Sequence, residues 1–100
     1  MDLRVGNGYD THPLINKATL ILGGVLIPHN KGIKGHSDGD ILVHAIIDSI
    51  LGAMGVGDIG QFFPSSDIKY KNISSLSLLS EIEQLLAESS YMILNSDSTI

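Results

Sequence analysis

Cysteine is absent from this 100-residue chain. Disulfides, zinc–thiolate fingers and thiol nucleophiles are thereby excluded, and any transition metal must be held by histidine and carboxylate. Positive charge is scarce too. Six Lys and Arg stand against eleven Asp and Glu, a formal net charge of -5. Only Lys69 and Lys71 come close together, so no basic stripe exists to neutralise the phosphates of a nucleic acid. Apolar runs are short, none approaching the roughly 20 residues needed to span a bilayer. The opening "MDLRVGNGYD" has neither a basic flank before a long apolar run nor a transit-peptide composition. The expectation is a soluble protein with no nucleic-acid or membrane partner, in the cytoplasm or in an organelle such as the plastid stroma.

What remains is 43% hydrophobic and 17% charged, the composition of one globular domain over residues 1–100. "LRVGNGYDTH" reads as a strand that weakens at its glycines. "ATLILGGVLIP" holds two apolar β-rich runs joined by Gly23-Gly24, a hairpin signal because two-residue turns want positive φ. "DILVHAIIDSILGAM" carries Ile41, Leu42, Ala45, Ile46, Ile50 and Leu51 at helical spacing, with Ser37 or Asp38 available as N-cap. Gly52, Gly55 and Gly57 close this helix and start a long loop. A second helix is predicted over about 75–89, with Leu76, Leu79, Ile82, Leu85 and Leu86 inward. "YMILNSDSTI" reads as a final strand in which the chain stops, which makes it look unfinished. The order predicts an α+β domain, a sheet with a β-hairpin and helices packed on one face.

Three stretches carry chemistry. Asp10 and His12 lie two apart, so on a strand both face the same way. With His44 from the first helix they make an Asp/His/His set suited to zinc, with a fourth position open as in catalytic sites. Spacing alone leaves open the plainer reading, in which Asp10 caps the turn before Pro13 and both histidines bond nearby backbone. "HSDGD" precedes the helix, whose N-terminus favours an anion; Ser37 and His36 can donate to a phosphate there. A simple helix cap explains that stretch equally well. Asp40, one turn before His44, could orient its imidazole. In "GDIGQFFPSSD", Asp58 could accept from a polyol and Phe62-Phe63-Pro64 could wall a pocket, or the segment could be an ordinary anchored loop.

Together and in this order, "GNGYDTH", "GHSDGDILVH" and "MGVGDIGQFFPSSD" resemble the 2-C-methyl-D-erythritol 2,4-cyclodiphosphate synthase family of non-mevalonate isoprenoid synthesis. The "SDGD…H" element is the most specific, and the similarity runs along essentially the whole chain. The resemblance implies a metal-dependent phosphorus–oxygen lyase with zinc ligands at Asp10, His12 and His44. It implies a catalytic His36 that helps stabilise the transition state, and a phosphate contact at Ser37. Substrate-binding positions would be Asp10, Thr11, His12, His36, Ser37, Asp58, Ile59, Gly60, Phe63, Pro64, Ser65, Ser66 and Asp67. The substrate would be the nucleotide-linked 4-diphosphocytidyl-2-C-methyl-D-erythritol 2-phosphate, converted to the cyclic diphosphate with release of CMP. No side-chain nucleophile is needed, in keeping with a chain that shows no serine elbow. Members look like homotrimers with active sites between subunits.

Family members continue beyond the last segment present here. The missing part would carry the nucleotide side of the site and the ligand of a second divalent ion, magnesium or manganese. Little turnover is therefore expected from these 100 residues alone. Two departures are visible: Asn7 stands where a histidine often occurs, and Ser65 where some relatives have an acid. The rival readings are a metal-dependent phosphohydrolase, which would leave a linear product, and a non-catalytic metal- or ligand-binding subunit.

Overall fold

The computed structural model describes residues 2–100. Its α+β architecture contains four short strands, β1 (Ile15–Asn16), β2 (Leu20–Leu22), β3 (Val25–Ile27) and β4 (Lys31–Gly32). Three helices follow, α1 (Ile41–Met54), α2 (Ile59–Phe62) and α3 (Ser75–Ala87), with a single 3₁₀ turn at Ile68–Tyr70 between the last two. The strands form two antiparallel pairs, β1 with β4 and β2 with β3. Gly23 and Gly24 both take positive φ, 60° and 78°, and close the β2–β3 hairpin in register, Leu22 opposite Val25. This is the two-residue turn that the Gly-Gly pair predicts.

The core is helical. Val43, Ile47 and Leu51 recur every four residues along one stripe of α1 and are buried, meeting Leu78 and Ile82 of α3. Phe62, Phe63, Tyr70 and Ile73 pack around that cluster. Gly55, left-handed at φ 71°, ends α1, and the Val56 N–H returns to the Leu51 carbonyl at 3.2 Å. That motif satisfies carbonyls a helix end would otherwise orphan. Gly52 is different, an exposed helical glycine with nothing within 4 Å of a Cβ placed on it. Gly52→Ala should accordingly stabilise the chain by about 0.5–1 kcal/mol, because alanine loses less backbone freedom in a helix. Urea denaturation followed by circular dichroism measures it, and a loss of stability would refute the assignment of this position as open.

Several local expectations need correction. Gly52 lies inside α1, and the expected long loop holds α2 and the 3₁₀ turn. Leu76, expected inward on α3, is exposed, and Leu78 is buried instead. The N-cap of α1 is Asp40, not Ser37 or Asp38; its carboxylate accepts from the Val43 N–H at 3.1 Å. Neither "LRVGNGYDTH" nor "YMILNSDSTI" forms a strand. A strand exists only through ladder bonds to a neighbour, and among the described residues no backbone hydrogen bond joins either segment to one. Their apolar residues Leu3, Val5, Met92 and Leu94 stand exposed. Side chains do bring the two segments together: Arg4 lies over the Tyr91 ring at 5.0 Å, and the Tyr91 hydroxyl donates to Asp2 at 3.2 Å.

Candidate metal and phosphate site

The first segment crosses α1 at close range. A Cβ on Gly6 would fall 1.8 Å from the Ser49 carbonyl oxygen, and one on Gly8 1.8 Å from that of Ala45. Only glycine lets the backbones approach so nearly. The crossing delivers Asp10 to the side of α1 that carries His44. His44 Nδ1 lies 3.4 Å from Asp10 Oδ2, and His12 Nε2 lies 3.4 Å from Asp10 Oδ1. Asp10 and His44 are largely enclosed, at 23% and 17% side-chain exposure, while His12 at 38% faces solvent.

These gaps bear on metal binding. Among the described residues no three His, Asp or Glu side chains converge on one preformed metal point, and the two imidazoles face different oxygens of the Asp10 carboxylate. Ligands at tetrahedral zinc distances stand roughly 3.3–3.6 Å from one another, and both gaps fall in that range. The donor types suit a metal ion, and the two separations from Asp10 are of ligand size.

A buried polar network backs His44. Its Nε2 lies 2.8 Å from Ser75 Oγ and 3.1 Å from Ser37 Oγ. Ser75, the first residue of α3, is fully buried; its hydroxyl and N–H both donate to Asp38, at 2.5 and 2.9 Å. The expectation that Asp40 orients His44 is overturned. Asp40 is also fully buried, and its two oxygens accept from the Gly23 and Gly24 N–H groups at 3.0 and 2.7 Å as well as from Val43. It therefore ties the hairpin tip to the start of α1. The same carboxylate caps the first turn of α1.

The remaining candidates lie around this centre. His36 Nε2 meets the Asp67 carbonyl at 3.1 Å, and the His36 carbonyl accepts from Asn72 N–H at 2.7 Å, so the turn is laced to the 63–72 loop. Asp67 caps the 3₁₀ turn through Lys69 N–H. Lys69 stays protonated above the usual lysine range, chiefly through a hydrogen bond with the Tyr70 side chain and then through the charge there. Asp58 caps α2 by accepting from Gln61 N–H at 2.9 Å, while Asp48 of α1 holds the Ile59 N–H at 2.8 Å. Thr11, Gly60, Ser65 and Ser66 are exposed. No hydrogen bond or ion pair among the described residues joins the 58–60 stretch to Asp10, His12 or His44. Phe63 stands edge-on to Tyr70 at 5.3 Å and, with Phe62, Ile82 and Leu85, lines an open cavity of about 300 Å³. A larger recess of about 600 Å³ runs beside the turn, bordered by Lys17, Lys34, Ser37, Asp38 and Asn72.

Ser75 and Asp48 escaped sequence reasoning. Their one signal is a short polar side chain on the inward face of a helix, which spacing cannot connect to a partner 31 or 11 residues away.

The YgbB family model matches residues 3–100. A 2-C-methyl-D-erythritol 2,4-cyclodiphosphate synthase of Clostridium acetobutylicum is 62% identical over 98 residues, covering 98% of this chain and 63% of the relative. Its counterpart in Clostridium botulinum is 56% identical with the same coverage. The chain thus spans under two-thirds of the length of these relatives. Among solved structures, a 2C-methyl-D-erythritol-2,4-cyclodiphosphate synthase in a CDP-bound form superposes with TM-score 0.78 at 41% identity, over 85% of this chain and 57% of that one. The bifunctional IspDF of Campylobacter jejuni gives 0.77 at 44% identity, over 84% and 23%.

Proposed function

The chain belongs to the YgbB family, and from that premise we propose that it forms the metal- and phosphate-handling part of a 2-C-methyl-D-erythritol 2,4-cyclodiphosphate synthase, one partial domain over residues 1–100. The observation that carries the reading is the approach of His44 to Asp10, which brings two distant segments to ligand spacing.

The substrate of the proposed reaction is 4-diphosphocytidyl-2-C-methyl-D-erythritol 2-phosphate. An oxygen of its 2-phosphate forms a bond to the β-phosphorus while the bond from that phosphorus to the CMP oxygen breaks. Nucleophile and leaving group belong to one molecule, so the protein's task is orientation and charge stabilisation. Asp10, His12 and His44 would hold a zinc-class ion, which supplies Lewis acidity toward phosphate oxygens when bound. Ser37 Oγ, 3.1 Å from His44 Nε2, is the proposed donor to a phosphate oxygen. His36, fixed against the Asp67 carbonyl, is the proposed stabiliser of charge on the transferring phosphoryl group. Phe63 to Asp67 and Asp58 to Gly60 are the proposed walls for the rest of the substrate. The exposed Leu3, Val5, Met92 and Leu94 support burial in a larger assembly, for which a homotrimer with shared active sites is our proposal.

Native mass spectra of the zinc-supplied chain beside His44→Ala test the ligand set. One zinc per chain in the parent and none in the variant is expected. Equal zinc in both would remove His44 from the site. Phosphorus NMR of a chain carrying the full length of its relatives then separates a cyclic diphosphate from the linear product of hydrolysis.

A further inference from the structure

The network behind His44 fixes where its proton sits. Ser75 Oγ carries one hydrogen, and the carboxylate of Asp38 has none to offer. The 2.5 Å contact between them therefore uses the serine hydrogen, donated to Asp38. Toward His44, Ser75 can then only accept, and the 2.8 Å contact requires that Nε2 carry the N–H. Ser37, at 3.1 Å from the same nitrogen, is left as a secondary acceptor with its own hydrogen available for a ligand. In a neutral imidazole one nitrogen is the donor and the other the acceptor, so the lone pair lies on Nδ1, which faces Asp10. The spacing there agrees. An Nδ1–H would draw the carboxylate toward about 2.7–2.9 Å, whereas Asp10 Oδ2 stands at 3.4 Å.

We infer that Asp38 and Ser75 are positioning residues that lock His44 in the Nε2–H tautomer and so aim the Nδ1 lone pair at the metal position. Asp38 is itself held in place, its N–H donating to the Ile73 carbonyl at 3.1 Å and its Oδ1 accepting from Asp40 N–H at 3.1 Å. The burial of Ser75 excludes water as a substitute partner. Pre-setting the tautomer spares the ion the cost of moving the proton on binding, the role that carboxylate-backed histidines play at metal sites in general. The relay's bearing on metal rests on the reading of His44 as a ligand; the tautomer itself does not.

Long-range ¹H–¹⁵N NMR of the metal-free, ¹⁵N-histidine-labelled chain reads the tautomer directly, with His44 assigned by the loss of its signals in His44→Gln. The Nε2–H form is expected in the parent, and the Nδ1–H form would overturn the inference. Ser75→Ala should move the ¹⁵N shifts toward a tautomer mixture and weaken zinc binding about 10- to 100-fold, measured against a competing chelator. Ser75→Thr, which keeps the hydroxyl, should restore both. Unchanged shifts and affinity in a folded Ser75→Ala would also overturn it. If Ser75→Ala does not fold, the parent spectrum decides alone. A parent with the Nε2–H form that binds no zinc would sink the ligand assignment while leaving the hydrogen-bond relay intact.

Discussion

Asp40→Ala is expected to remove a large part of the chain's stability. The carboxylate is fully buried and accepts three backbone N–H groups, two from the hairpin turn and one from the first turn of α1. Losing a helix cap costs about 1 kcal/mol. Each part-buried bond from a turn N–H to the charged carboxylate contributes about 1.5 kcal/mol more. The total is on the order of 4 kcal/mol, against roughly 5–15 kcal/mol for a whole domain of this size. Asp40→Asn, which keeps one acceptor oxygen, should fall between the two. Urea midpoints for the three proteins give the answer. A shift below about 1 kcal/mol for Asp40→Ala would mean that the hairpin and α1 are held together by something other than this carboxylate.

The second large effect is local. Gly8→Ala should abolish zinc binding at micromolar metal while leaving the helices folded. The added Cβ would meet the Ala45 carbonyl oxygen at 1.8 Å and its carbon at 2.7 Å. An ordinary carbon–oxygen contact is about 3.3 Å or longer, and helix backbone cannot yield by that difference. The segment must therefore lift from α1, and Asp10 with it, which opens the 3.4 Å gap to His44. The buried contacts between α1 and α3 do not involve Gly8, so far-UV circular dichroism should change little. Zinc bound by Gly8→Ala with parental affinity would show that the crossing does not place Asp10. Gly6, equally close to Ser49, offers a second position for the same measurement.

Much of this chain was legible in its residues because the relevant signals are local. Apolar spacing marked α1 and α3, Gly23-Gly24 marked the hairpin, and Gly55 marked the end of α1. Those features depend on φ preferences and helical periodicity, and neither needs a distant partner; which apolar residues turn inward does, since Val43, Ile47 and Leu78 are buried while Leu76 is exposed. Leu3, Val5, Met92 and Leu94 misled for the complementary reason. Their segments have the residue types of strands, but a strand is a relation between two backbones, and among the described residues neither segment has a ladder partner.

The candidate site divides the same way. Asp10, His12 and His44 could be offered from residue type and order, but eleven acidic residues and four histidines leave other sets open, and the family resemblance is what favoured this one. What they face could not. Asp40, one helical turn from His44, looks from the sequence like its orienting partner, yet it turns to the hairpin glycines, while Ser75 reaches the imidazole from another helix. The helices and the hairpin turn were readable from the chain alone. Tertiary packing alone settled that glycines 6 and 8 let one segment lie against α1, and which buried hydroxyl lies against the His44 imidazole. The first set follows from the chemistry of neighbours along the chain. The second depends on packing distances between residues far apart in it, which no local pattern encodes.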